Sequence, residues 1–185
     1  MKTHAENTKA PVKPDAITIR TDLRSGDIGY IVYLHGRLYK EECDYGVGFE
    51  AYVAQGLAEF YKQYDPERDG VWICELEGRI VGFLALMHRE QDMAQLRYFL
   101  LLPECRGIGL GKKLMELYMT HLRQAGYRST YLWTTREQQT AIALYRRYGF
   151  ELTEEVASDT FGKALYEQKY ELRLTPGSGQ QDHTS

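Results

Sequence analysis

The sequence lacks long apolar runs: none approaches the ~20 residues that a bilayer-spanning helix needs, so no membrane association is expected. It has only three cysteines, Cys43, Cys74 and Cys105. They are odd in number and scattered, which argues against a disulfide framework and fits reduced thiols in a cytoplasmic protein. The five histidines do not fall at metal-ligand spacing, and no metal site is expected. Neither sign of charge is in large excess: 23 Lys and Arg against 26 Asp and Glu leave a net charge of -3. Such a chain has no field to gather nucleic acid. Residues 1–16 carry no apolar stretch of the kind a secretory signal requires. No internal repeat is visible.

What the chain does have is tyrosine, fifteen against six Phe and two Trp. Most are expected in the core or half-buried, with a few lining a pocket, because Tyr joins an apolar body to a polar tip. A length of 185 residues suits one domain. Residues 1–16 read as a disordered N-terminal segment, 17–174 as a single domain and 175–185 as a flexible tail. Ile17–Arg20 reads as a strand. A helix from about Asp27 is expected to break at Gly36, with residues 39–46 as an acidic, aromatic loop. A second helix covers Phe49 to Tyr64, with Phe49, Val53, Leu57 and Phe60 at helical spacing. Three strands then form an antiparallel meander, with a tight turn at Glu77-Gly78. The last of them ends at Leu102. A helix, a strand at Thr130–Thr134, a helix from about Thr140 to Tyr148 and a final strand pair, Phe150–Leu152 with Leu165–Leu172, complete the order. The order is β, α, α, β, β, β, α, β, α, β, β, a mixed α and β class.

The stretch from Leu96 to Ala125 organises the rest. An apolar run stops at Pro103, a turn follows at Arg106-Gly107-Ile108-Gly109-Leu110-Gly111, and apolar residues then recur every three to four positions. The first turn of a helix has backbone N–H groups with no internal partner and a partial positive charge. Three glycines clear the side chains that would hold an anion away. Lys112 and Lys113 oppose the helix dipole unless an anion sits there, a local conflict that points to bound phosphate. A nucleotide-binding P-loop is excluded because no Ser or Thr follows the lysines. A dinucleotide fingerprint is disfavoured because the glycine spacing is wrong and the next strand ends in Thr134-Thr135 with no acid.

The remaining pattern, Arg-x-x-Gly-x-Gly at Arg106–Gly111, resembles the pyrophosphate loop of the GNAT acetyltransferases, the GCN5-related family. The run from Gln138 through Ala141, Leu144 and Tyr145 to Gly149-Phe150 is similar to that family's second motif, Asn-x-x-Ala-x-x-Leu-Tyr-x-x-x-Gly-Phe. The element order matches as well. The resemblance spans roughly Ile17 to Leu172. Within the family, the segments at 26–29, 35–39, 49–50, 132–134 and 167–172 resemble GNAT domains fused behind a MarR-type winged-helix repressor. With no room for that repressor, the expectation is a catalytic domain alone, without DNA binding.

The resemblance implies the GNAT fold: a central, mostly antiparallel twisted sheet with a splayed parallel strand pair, flanked by helices. It implies an acetyl-CoA-dependent N-acetyltransferase, an acyltransferase that carries the acetyl group to a primary amine of a small molecule or protein by direct attack in a ternary complex. The alternative is a non-catalytic acyl-CoA-binding sensor or scaffold. Implied cofactor contacts are Phe99, Leu100 and Leu101 for the pantetheine arm. Arg106, Gly107, Ile108, Gly109, Leu110, Gly111 and Lys112 would hold the pyrophosphate. Gln138 stands where the family often has Asn, and its extra methylene alters that contact. Tyr145 would protonate the departing thiolate, whereas periodicity alone makes it a core residue. No carboxylate stands at Leu132–Thr134, so the general base is sought at Glu42 or Glu50, with Glu41 and Asp44 as alternatives, or is water. Tyr39 and Glu50 are assigned to the acceptor, and an acidic, tyrosine-lined mouth would suit a cationic amine. The expected partners are acetyl-CoA and an amine acceptor, with no nucleic acid and no membrane; a homodimer is allowed.

Overall fold

The structure, a computed structural model, describes residues 12–175. The assignments of disorder at 1–11 and of a flexible tail at 176–185 fall outside the described residues. Pro14–Ala16 form a short 3-10 turn that leads into the first strand. The elements are β1 (Ile17–Arg20), α1 (Asp27–Cys43), α2 (Val47–Gln63), β2 (Gly70–Leu76), β3 (Arg79–His88), β4 (Met93–Leu101), α3 (Leu110–Gln124), β5 (Ser129–Thr135), α4 (Gln139–Arg147), β6 (Glu151–Ser158) and β7 (Leu165–Arg173). They build one seven-stranded sheet in the order β1-β2-β3-β4-β5-β7-β6. Only β4 and β5 pair in parallel.

β3 shows why helices cover both faces. Its apolar run has no polar alternation, so neither face can meet water. Phe83, Ala85 and Met87 pack with Ile31, Leu34, Val53, Leu57 and Phe60 of α1 and α2. Leu84 and Leu86 pack with Leu114, Met115, Tyr118 and Leu122 of α3 and with Ile142 of α4. Fully burying each Val, Leu, Ile, Phe or Met side chain among them contributes about 1.5–3 kcal/mol.

Two expectations about α1 are corrected. The helix does not break at Gly36, and it continues through Tyr39 to Cys43, so only residues 44–46 are loop. Gly36 serves tertiary packing: a Cβ there would collide with the Glu50 carboxylate of α2. The acidic segment stays helical because Tyr39 and Cys43 pack inward, and burial overrides local propensity. Asp44 then ends the helix in the left-handed region, φ 57°. β6 is longer than the expected Phe150–Leu152. It carries no buried alternation, and its ladder with β7 alone defines it.

Two irregularities in β4 create the cleft. Parallel pairing with β5 covers only Met93↔Ser129, Ala94↔Thr130 and Gln95↔Tyr131, and the strands then part. On its other edge the β3–β4 register shifts between Phe83 and Ala85. At this bulge Tyr98 takes φ 58°, a costly backbone for an aromatic residue. Beyond Gln95, β4 therefore presents unpaired main-chain groups to the split.

Candidate functional site

The split opens a cleft of about 1310 Å³. At its far end, the turn after β4 is shaped by two glycines in the left-handed region, Gly107 at φ 74° and Gly109 at φ 86°. Nothing lies within 4 Å of a Cβ at either position, so backbone conformation rather than space requires glycine there. Gly109 is the N-cap of α3 and no side chain caps the helix. The first bond of α3 runs from the Lys113 N–H to the Gly109 carbonyl, 3.1 Å. The amides of Leu110, Gly111 and Lys112 thus have no partner within the helix. Gly111 is different: a methyl there would make ordinary contacts at 3.5 Å with Leu101 and Leu144. Packing does not demand glycine at 111, and its bareness keeps the cleft wall open.

The cleft brings together Tyr39, Glu42, Phe99, Leu100, Leu101, Arg106, Gly107, Gly109, Gly111, Lys112, Gln138 and Tyr145. The side chains of Ile108 and Leu110 turn instead into the core beneath α3. Glu50 lies outside the cleft, in a shallow depression beside Tyr33, Gly36 and Lys40. Arg106 and Glu42 form a bidentate pair, Nη1–Oε1 2.8 Å and Nη2–Oε2 3.2 Å. The Arg106 Nε also donates to the Leu101 carbonyl at 2.9 Å. One guanidinium thus ties the end of β4 to the end of α1. The Gln138 amide donates to the Cys43 sulfur at 3.0 Å. Burial, reinforced by Tyr39, raises the Tyr145 hydroxyl well above its ordinary pKa, so it keeps its proton. Its ring lies 6.3 Å from that of Phe99. Burial likewise pushes Tyr39 up to about 12.

The expected tyrosines do line the cleft, but sequence reasoning missed the phenylalanines that complete its aromatic wall. Tyr45, Phe49, Tyr52 and Phe161 line the cleft with Tyr39. Phe161 comes from the loop between β6 and β7 and packs 5.0 Å from Phe49 and 5.3 Å from Tyr45. The Tyr45 hydroxyl meets Thr135 Oγ1 at 2.8 Å. A loop phenylalanine has no periodicity to reveal where it docks. Nor did the sequence show that the acidic mouth is neutralised. Glu41 pairs with Arg37 at 2.9 Å and Asp44 with Lys40. Glu137 pairs with Lys163 at 2.7 Å.

His35 forms part of the floor, 3% exposed, with Nδ1 2.8 Å from the Ile31 carbonyl. The Nδ1–H therefore donates, and the buried Nε2 has no partner. Burial lowers its pKa from 6.5 to about 4. Between those values the unfolded chain takes up a proton that the folded chain refuses. Stability is therefore full above pH 6.5 and falls by about 3 kcal/mol as the pH drops toward 4. Urea midpoints measured from pH 7 to 4 should show that the wild type loses more stability than His35→Gln over this window. Parallel curves would remove His35 from the acid response.

Among the described residues, no group of three or more His, Cys, Asp or Glu is placed to hold a metal ion. No helix there is long and apolar enough to cross a membrane.

Comparison with known proteins agrees with this geometry. The chain is 39% identical over 98 residues to the uncharacterized N-acetyltransferase YjgM of Escherichia coli, covering 51% of this chain and 59% of YjgM. It is 27% identical over 141 residues to the mycothiol acetyltransferase of Streptomyces griseus, covering 76% of this chain and 45% of that enzyme. The chain thus spans about half the length of the curated relatives it matches. Among solved structures, yncA of Salmonella typhimurium with its cofactor acetyl-CoA superposes with a TM-score of 0.63 at 21% identity, covering 88% of this chain and 96% of that one. The spermidine N-acetyltransferase of Vibrio cholerae, in complex with CoA and spermine, gives 0.64 at 18% identity, covering 86% and 96%. At such identities the superpositions speak for the fold. The model of the acetyltransferase (GNAT) family matches residues 37–150, which include both glycine turn and Tyr145. By that match, and by the parallel strands that part above an uncapped α3, the chain belongs to the GNAT acetyltransferase family.

Proposed function

We propose that the chain is an acetyl-CoA-dependent N-acetyltransferase that acts by direct attack of an amine on the thioester. One observation carries this reading: the partnerless amides at the start of α3, the unpaired edge of β4 and the protonated Tyr145 share one cleft. Amides from Gly107 to Lys112 would hold the pyrophosphate, since main-chain donors at a helix N-terminus suit an anion. The pantetheine arm would lie against Phe99, Leu100 and Leu101 as an added strand. An N–H near Leu101 would stabilise the oxyanion of the tetrahedral intermediate.

The neutral amine adds to the thioester carbonyl, the C–N bond forms and the C–S bond breaks. Tyr145 gives its proton to the leaving sulfur, and the amine's proton passes to a base. Tyr145 packs on the α3 and α4 side of the sheet, and Tyr39, Tyr45 and Phe49 on the α1 and α2 side. Cosubstrate and acceptor would thus meet across the split from opposite faces. Glu42, bound at both oxygens by Arg106, acts in this reading on Arg106 and the glycine turn rather than on the amine. Gln138 would exchange its Cys43 contact for the pantetheine. Kinship with domains joined to MarR-type regulators is a finer reading, carried by the segments at 26–29 and 35–39 among others. The sensor reading is disfavoured because binding alone has no use for a buried, protonated tyrosine beside the thioester.

The test joins two measurements. CoA, and not NAD, should raise the melting temperature, and acetyl-CoA with a panel of amines should release free thiol. Stabilisation by CoA without transfer to any amine would favour the sensor; stabilisation by NAD alone would overturn both.

A further inference from the structure

The charge left over in the cleft points to the acceptor, and this inference rests on the transferase reading. Of the carboxylates lining the cleft, Glu41, Glu42, Asp44 and Glu137 each hold a cation. Glu167 also lines it, half-buried, and has no ion-pair partner among the described residues. Of the cations, Arg106 and Lys163 are paired, and Lys112 lies 3.7 Å from Glu116. Arg147, in the last turn of α4, stands at the glycine-turn end, where the adjacent Tyr148 hydroxyl reaches the Lys112 carbonyl. That leaves Arg97 in the acceptor half. Its guanidinium rests over the rings of Tyr98 (4.6 Å) and Tyr52 (5.1 Å) and donates to the Tyr52 hydroxyl at 2.7 Å. None of these neighbours carries a negative charge.

Sheet register puts both groups on one face, on opposite banks of the split. Arg97 is the register partner of Ala85, which packs under α1 and α2. Glu167 is the partner of Thr135, whose hydroxyl meets Tyr45 from the end of α1. Trp133, also on β5 and two residues before Thr135, lies between them on this face and is 37% exposed. Arg97 stands two residues beyond the last paired residue of β4, where the strands begin to part. Two strand spacings separate β4 from β7, about 10 Å before the splay is added, a gap that long Arg and Glu side chains narrow from both sides. The floor of the acceptor site is thus an open indole with one unneutralised cation on one bank and one unneutralised anion on the other.

We propose that the acceptor is a free amino acid, bound as a zwitterion: Arg97 receives the carboxylate and Glu167 holds the ammonium. An Arg fork matches a carboxylate in two parallel hydrogen bonds, and a half-buried ion pair of this kind discriminates strongly against an uncharged analogue. Glu167 takes one proton from the ammonium, the freed lone pair forms the amide bond, and the thiolate receives its proton from Tyr145. This replaces the expectation of a simple cationic amine, because the acidic mouth that suggested it is already neutralised.

The experiment is a free-thiol assay with acetyl-CoA over the twenty amino acids, their methyl esters and a set of monoamines, with CoA-induced thermal shift recorded for every variant. At least one free amino acid should exceed its methyl ester about tenfold or more in kcat/KM. In Arg97→Met this acid-to-ester ratio should fall at least about tenfold through KM, and Arg97→Lys should restore part of it. Glu167→Gln should lower kcat about tenfold or more for acid and ester alike. Esters or monoamines used as well as the free acids, no free amino acid turned over, or a ratio unmoved in a CoA-stabilised Arg97→Met would each overturn the proposal. If CoA fails to stabilise the wild type and no thiol appears with any amine, the transferase reading itself fails.

Discussion

Tyr145→Phe is expected to lower kcat about 100-fold while the Kd for acetyl-CoA stays within about threefold, because a positioned general acid contributes typically 10²–10⁴-fold. The change removes one oxygen and keeps the ring. Tyr145 is 5% exposed, and its ring packs 6.3 Å from Phe99 and 6.0 Å from Phe150, contacts that phenylalanine reproduces. Stability should therefore change little, which separates a chemical effect from an unfolded enzyme. The raised pKa keeps the hydroxyl protonated through the neutral range, so in the proposed reaction it would hold a proton to give when the C–S bond breaks. Single-turnover thiol release and calorimetric titration of acetyl-CoA read the two quantities separately. A variant that keeps wild-type kcat would leave Tyr145 as a packing residue, the role its helical spacing alone suggests.

Gly109→Val should weaken CoA binding about 100-fold or more at a small cost in stability. Gly109 caps α3 at φ 86°. A β-branched residue is strained there by about 1–2 kcal/mol, and the turn is expected to relax toward negative φ. That rotation would turn amides at the start of α3 away from the pyrophosphate. Hydrogen bonds to charged groups contribute about 1.5–3 kcal/mol each, so the loss of two predicts a change in Kd of 10² or more. The hydrophobic core beneath the turn is untouched, because nothing lies within 4 Å of a Cβ at this position. Calorimetry for the affinity and a melting curve for the fold would check the split. Unaltered affinity would mean that the diphosphate is held elsewhere.

Most of the fold was legible because its signals are local. The apolar run of β3, the helical spacing in α2 and α3, the Glu77-Gly78 turn and the glycine turn after Pro103 each announce an element within a few residues. So do the two motifs at Arg106–Gly111 and Gln138–Phe150, and the structure brings both to one cleft. The errors were of another kind. Gly36 looked like a helix break because its reason, the Glu50 carboxylate on a neighbouring helix, lies outside its own segment. The ion pair of Glu42 is equally invisible in its own segment, because its partner, Arg106, is 64 residues away.

The amino-acid sequence by itself determined the strand and helix order and the glycine turn before α3. These depend on periodicity and on backbone conformations that glycine alone adopts readily, whereas Tyr145 as the acid to consider came from the family resemblance and not from its spacing. Only the tertiary structure decided which charges remain unneutralised, that β4 and β5 part after Gln95, that Tyr98 bulges, and that Phe161 closes the aromatic wall. Ion pairs, strand register and loop docking join residues far apart in the chain. Their free energies depend on distances that exist only once the sheet and its helices have assembled.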